Sequence, residues 1–234
     1  MRVSVFSRYV LGICAAAAML AACGGSQPPV GAPNLSPKSS QSRETVKPSS
    51  ATPTYKVSAP LLYVTSPDLD ITPLAIYDAS KDDPKPLATI NKDINNSAGA
   101  CIDGNGTLYV ANEPGSGPGW VSEYILGQTK PLRVITKGIN TPAFCAIDAS
   151  GNLWVTNIGL DDVAEYLEGS TKPHVTITKG LTYPDGIAID SAGNLYVGNL
   201  QPHSAPNIQV YPPGSKAPST DDHRRRNVAD RHRR

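Results

Sequence analysis

The chain has 234 residues, 39% of them hydrophobic and only 18% charged, with 22 prolines, 20 glycines, ten tyrosines and a formal net charge of +1. That length and composition suit a single β-rich domain with many turns. The positive charge gathers at the two ends, which leaves the body mildly acidic and argues against nucleic acid as a partner.

Arg2 and Arg8 precede an apolar stretch from about Tyr9 to Met19, followed by Leu20-Ala-Ala-Cys23-Gly-Gly. A charged start, a short apolar core and small residues before a cut make a secretory signal, too short for a membrane span. The Leu-Ala-Ala-Cys ending resembles the bacterial lipobox. That resemblance implies that residues 1–22 are removed and that Cys23 is lipidated as the first mature residue. The expected location is the bacterial cell envelope, with the membrane engaged through the lipid. Gly24 after the cysteine implies, by resemblance to sorting in diderm bacteria, the periplasmic face of the outer membrane. Residues 23–58 are rich in Pro, Ser, Gly, Thr and Gln and poor in large apolar residues, which predicts a disordered tether.

From 59 to 218 the chain repeats itself. One phrase occurs three times: Asp103-Gly-Asn-Gly-Thr-Leu-Tyr-Val-Ala-Asn112, Asp148-Ala-Ser-Gly-Asn-Leu-Trp-Val-Thr-Asn157 and Asp190-Ser-Ala-Gly-Asn-Leu-Tyr-Val-Gly-Asn199. The aspartates are 45 and then 42 residues apart. A period of that size marks one supersecondary unit copied in tandem. A short apolar run lies before each aspartate and a Leu-aromatic-Val run after each glycine, so each phrase predicts a hairpin closed by an Asp-x-x-Gly turn. The aspartate can accept turn N–H groups while Gly106, Gly151 and Gly193 take the positive φ.

A third strand is predicted at Val121-Ser-Glu-Tyr124, Val163-Ala-Glu-Tyr166 and Ile208-Gln-Val-Tyr211, and a fourth at Leu132-Arg-Val-Ile135 and His174-Val-Thr-Ile177. An earlier copy aligns through Leu61-Leu-Tyr-Val64, Leu74-Ala-Ile-Tyr77 and Lys85-Pro-Leu-Ala-Thr-Ile90. Four short antiparallel strands per period predict an all-β fold of β-propeller blades, with three blades and most of a fourth present. The stretch Pro184-Asp-Gly-Ile-Ala-Ile-Asp-Ser-Ala-Gly-Asn-Leu-Tyr-Val-Gly-Asn199 resembles NHL-type propeller repeats, and is similar to repeats in streptogramin lyase and gluconolactonase-like propellers. Relatives of that kind commonly have six blades. The resemblance therefore implies an incomplete ring, which predicts an open arc or self-association through unpacked blade faces.

The last segment departs from the pattern. Where a fourth strand is due, residues 219–234 carry six arginines and two histidines, matching nothing upstream. A basic tail for nucleic acid or anionic lipid is one expectation. A change of reading frame near Thr220 that cut short a longer propeller, leaving a non-functional fragment, is the other.

With Cys14 in the signal and Cys23 lipidated, Cys101 and Cys145 remain in an oxidising compartment. Both fall on first strands, two and three residues before their turn aspartates, so the thiols project from opposite faces of consecutive blades. Consecutive blades pack face to face, which leaves two expectations open: a disulfide, or two small buried thiols.

No nucleophile or zinc motif is present. In gluconolactonase-like propellers an aspartate in a Pro-Asp-Gly turn contributes to a divalent-metal site. The resemblance extends that role to Asp185, although the equivalent residues Ala98 and Ala143 cannot ligate. Otherwise no cofactor is expected. The variable loops after each second strand are the expected contact surface, with Asn112, Trp120, Asn157, Asp161, Asp162, Asn199 and His203 as candidates. Trp120 closes a Gly/Pro-rich loop and reads as an exposed contact, whereas the three asparagines also fit backbone hydrogen bonding where each loop begins. The function expected is a binding or scaffold module that engages an envelope protein or glycan; the alternative is a metal-dependent lactonase or lyase.

Overall fold

A computed structural model describes residues 53–55, 57, 60–65, 73–200 and 205–219. Cys23, His203, the signal, most of the tether and residues 220–234 lie outside them. The fold is all-β and consists of four antiparallel sheets. The first holds β1 (Leu61–Val64), β2 (Leu74–Asp78) and β3 (Ala88–Ile90); the second holds β4 (Ser97–Ile102), β5 (Leu108–Asn112), β6 (Trp120–Tyr124) and β7 (Arg133–Ile135). The third holds β8 (Pro142–Ile147), β9 (Leu153–Asn157), β10 (Asp162–Tyr166) and β11 (Val175–Ile177); the fourth holds β12 (Pro184–Ile189), β13 (Leu195–Asn199) and β14 (Asn207–Tyr211). Strands follow one another in space as they do in sequence, which is the order of propeller blades. Among the described residues the four sheets, blades I to IV, form an arc and not a closed ring.

The repeated phrase folds locally for the reason its residues suggest. Asp148 Oδ1 accepts the N–H groups of Ser150 and Asn152, while Oδ2 accepts from the Asn152 side chain and from Trp154 Nε1. Asp190 does the same with Ala192, Asn194 and the Tyr196 hydroxyl. An aromatic residue that carries a donor therefore suits that position, because Trp and Tyr both reach the turn carboxylate. Gly151 and Gly193 each sit at φ 81°, where a Cβ is disfavoured.

Each junction between blades holds one apolar cluster. Leu74, Ile76 and Ile90 meet Leu108, Val110 and Tyr124; Tyr109, Val121 and Ile135 meet Leu153, Val155 and Tyr166; Val163 and Ile177 meet Leu195, Val197 and Tyr211. The alternation of faces along each strand thus supplies one surface to the blade before and one to the blade after. At the middle junction β4 approaches β8 so closely that a Cβ on Gly99 would stand 2.6 Å from the Ala143 carbonyl. There a disulfide joins Cys101 to Cys145, with Cα atoms 5.6 Å apart.

Beside the disulfide, the buried Glu123 carboxylate is held by Arg133, with Nε 2.7 Å from Oε2 and a second donor 3.0 Å from Oε1. Arg133 also donates to the Gly169 carbonyl of the next blade. Desolvation raises the Glu123 carboxyl, and Arg133 offsets only part of that rise.

Tyr55 falls within the 23–58 segment expected as a tether, yet it is buried in the first junction. Its hydroxyl lies 3.0 Å from that of Tyr63 and accepts from Gly127 N, while Thr54 N donates to Gly127 O. Burial of an aromatic ring offsets the entropy of ordering the residue that carries it.

Candidate functional site

The strands β4, β8 and β12 form the edges of their sheets and lie next to one another across the arc. All three begin at the end where β5, β9 and β13 finish, and this mouth end carries the variable loops. A non-glycine residue with positive φ stands just before each start: Asn96 at 45°, Thr141 at 50° and Tyr183 at 56°. A β-branched residue such as Thr141 adopts that conformation only at a cost. An irregularity in strand pairing then follows at the same place in each blade.

The recurrent asparagines hold this geometry. Asn112, Asn157 and Asn199 are buried, and their Oδ1 atoms accept from the N–H groups of Asn95, Asn140 and Thr182. Their Nδ2 groups donate to Val110 O, Gly138 O and Gly180 O. Buried amides with this many backbone partners hold the frame where each loop begins. Asp162 is likewise buried and accepts from Asn157 Nδ2 at 2.8 Å. Trp120, expected as an exposed contact, is half-buried and donates from Nε1 to Asp93 O at 3.0 Å. Asp161 is exposed, and its Oδ1 accepts from Tyr183 N at 2.6 Å.

The loops interlock from blade to blade. Thr141 N donates to Pro118 O, which ties loop 113–119 of blade II to the start of blade III. Asp161 ties loop 158–161 of blade III to the start of blade IV, and Thr156 Oγ1 donates to Asp185 O at 2.7 Å across the same junction. The loops thus stand on fixed positions while their outer residues, Gly115 to Pro118 and Gly159 to Asp161, face solvent.

Asp185 is half-buried at the start of β12, and burial raises its carboxyl above the ordinary value. Glu113, next to Asn112 in the blade II loop, is raised first by burial and then by the negative charge of Asp185. The two acids come from blades two apart in the arc, and both stand at its mouth end, one just after β5 and the other at the start of β12. Glu113 is pinned by its backbone, with its N–H given to Asn96 O at 3.0 Å and its carbonyl accepting Asn96 Nδ2 at 2.5 Å. Being the one acid in its loop was its only mark in the sequence.

Among the described residues no three His, Cys, Asp or Glu side chains converge. A hard cation takes six to eight oxygens, so these two carboxylates do not make a protein cage for one. They do make an acidic mouth that favours a cationic or hydrogen-bond-donating group.

No protein-family model matches the chain, and no curated protein matches it in sequence. Among solved structures it is similar to hydrazine synthase of Kuenenia stuttgartiensis, with a TM-score of 0.56 and 16% identity over 67% of this chain and 46% of that one. The computationally designed Ika8 protein gives a TM-score of 0.49 at 8% identity, over 68% of this chain and 44% of that one. The chain thus spans less than half the length of either, and likeness at such identities concerns the fold alone.

Proposed function

We propose that this chain is a lipid-anchored propeller of the NHL type, held at the bacterial cell envelope through Cys23, which binds an envelope protein or glycan with its mouth-end loops. The observation that carries this is the mouth end itself. Loops 113–119 and 158–161 differ in length and composition, yet each is fastened to the next blade, the first through Pro118 O and the second through the Asp161 carboxylate, so unlike loops are displayed on one repeating frame. The acidic pair Glu113 and Asp185 sits among them and selects for donors and cations.

Photo-crosslinking groups placed in living cells at Ser116 and Leu160 test the proposal, with Ser150 at the opposite end of the blades as the control. A discrete adduct from the first two and none from Ser150 is the expected result. Equal labelling at both ends, or none anywhere, would count against a mouth-end binding surface. Cys23→Ser is expected to move the protein out of the membrane fraction.

The half-buried place of Asp185 at the mouth-end start of β12 favours a second reading, a metal-dependent lactonase or lyase. Stoichiometric divalent-metal binding in calorimetry, lost in Asp185→Ala, would decide for it.

A further inference from the structure

The two ends of the arc carry surfaces that mate with each other three times inside it. On the leading face, Leu108, Leu153 and Leu195 recur with Val110, Val155 and Val197 and with Tyr124, Tyr166 and Tyr211, and all nine are buried against the blade before. Blade I presents the same face through Leu62, Val64 and Tyr77, where Leu62 is 49% and Val64 42% exposed. On the trailing face, Val121 and Val163 are fully buried against the blade after, whereas their equivalent in blade IV, Ile208, is 68% exposed beside Tyr196, Val210 and Ala188. Gly186 shows the same difference. A Cβ at Gly99 would strike the next blade, and one at the equivalent Gly186 would meet nothing within 4 Å.

We propose that the occupant of these faces is a second copy of this chain, bound head to tail, with the trailing face of blade IV on the leading face of blade I. The warrant is the internal template. Each junction within the arc shows that a leading face and a trailing face of this sequence pack into a dry apolar cluster, and the ends offer one of each. The chain's own remaining segments are poorly suited to the task. Residues 24–52 hold only Val30, Leu35 and Val46 as large apolar residues, and residues 221–234 hold six arginines. The contact is heterologous, so it closes when two arcs complete a ring of eight blades and otherwise propagates.

Sedimentation of the full chain, with Cys23→Ser in every sample to remove any lipid contribution, tests the pairing. The parent is expected at twice the monomer mass or above. Leu62→Asp and Ile208→Asp, both at exposed positions, are each expected to sediment at the monomer mass with an unchanged circular dichroism spectrum. An equimolar mixture of the two is expected to regain a complex, because one variant keeps an intact leading face and the other an intact trailing face. A monomeric parent would overturn the proposal. So would association that neither variant weakens, or loss with Leu62→Asp alone, the mark of a symmetric contact between two copies of blade I.

Discussion

The Tyr166 hydroxyl donates a 2.7 Å hydrogen bond to the backbone oxygen of Lys137, tying the third strand of blade III to the segment that leads out of blade II. Tyr124 makes the same bond to Lys92 at 2.5 Å, and Tyr211 to Lys179 at 2.8 Å. One tyrosine per junction thus ends its strand, fills the apolar cluster with its ring and latches the preceding blade with its hydroxyl.

Tyr166→Phe keeps the ring and removes the latch, and should cost about 1 kcal/mol. The check is a lower urea midpoint with an unchanged slope. Burial raises the Tyr124 and Tyr211 hydroxyls to about 12. An unfolded tyrosine ionises near pH ~10, so between about 10 and about 12 the folded state holds protons that the unfolded state releases. Stability should therefore fall as pH rises through that window, and tyrosinate absorbance should appear together with unfolding.

Glu123 is buried while 19% of the Arg133 side chain stays exposed, so removing the arginine strands a buried acid. Arg133→Ala should destabilise by about 3 kcal/mol or more. Glu123→Met combined with Arg133→Met should recover most of that loss, because the site then packs as an apolar junction. Equal destabilisation by the single and double variants in urea unfolding would show that packing around the arginine stem matters more than the charge.

The disulfide closes a loop between residues 44 apart and staples the middle junction. Replacing both cysteines with alanine should cost about 2–4 kcal/mol. Mass mapping without reductant should show one linked peptide pair containing Cys101 and Cys145, and free alkylation of both would contradict the bridge.

At the mouth, Asp185 is raised by burial, and Glu113 by burial and by Asp185. For a carboxyl whose folded value is raised, the folded state binds more protons, so stability falls as pH climbs from the unfolded value through the folded one. Asp185→Asn should therefore raise the melting temperature at pH 7. The gain should vanish below about pH 4, where the unfolded carboxyl also protonates. Glu113→Gln should add less in the Asp185→Asn background than alone, since the Asp185 charge is the lesser of the two causes that raise Glu113.

The blades were legible in the sequence because what forms them is local. The Asp-x-x-Gly turn, the alternation along Leu-Tyr-Val and the tyrosine that ends each third strand repeat at one period, and each acts within a few residues of itself. The one-residue offset between Cys101 and Cys145 even placed the two thiols on facing sides, because strand alternation follows from sequence position alone. Asn112, Asn157 and Asn199 recurred visibly too, but recurrence suits a frame as well as a contact surface, and only their burial decided for the frame.

What the tertiary structure decided are the relations that cross from one blade to another. Glu113 lies 72 residues from Asp185, and nothing in either loop announces the other; the Asp185 charge bears on Glu113 because the end of β5 and the start of β12 both stand at the mouth end of the blades. Tyr55 looked like part of a polar tether until the first junction offered its ring a place. The exposure of Leu62, Val64 and Ile208, written in the same residue types as their buried counterparts, depends on the absence of a neighbouring blade among the described residues. Local chemistry repeats with the sequence, whereas burial and charge coupling depend on which copy of the repeat stands beside which.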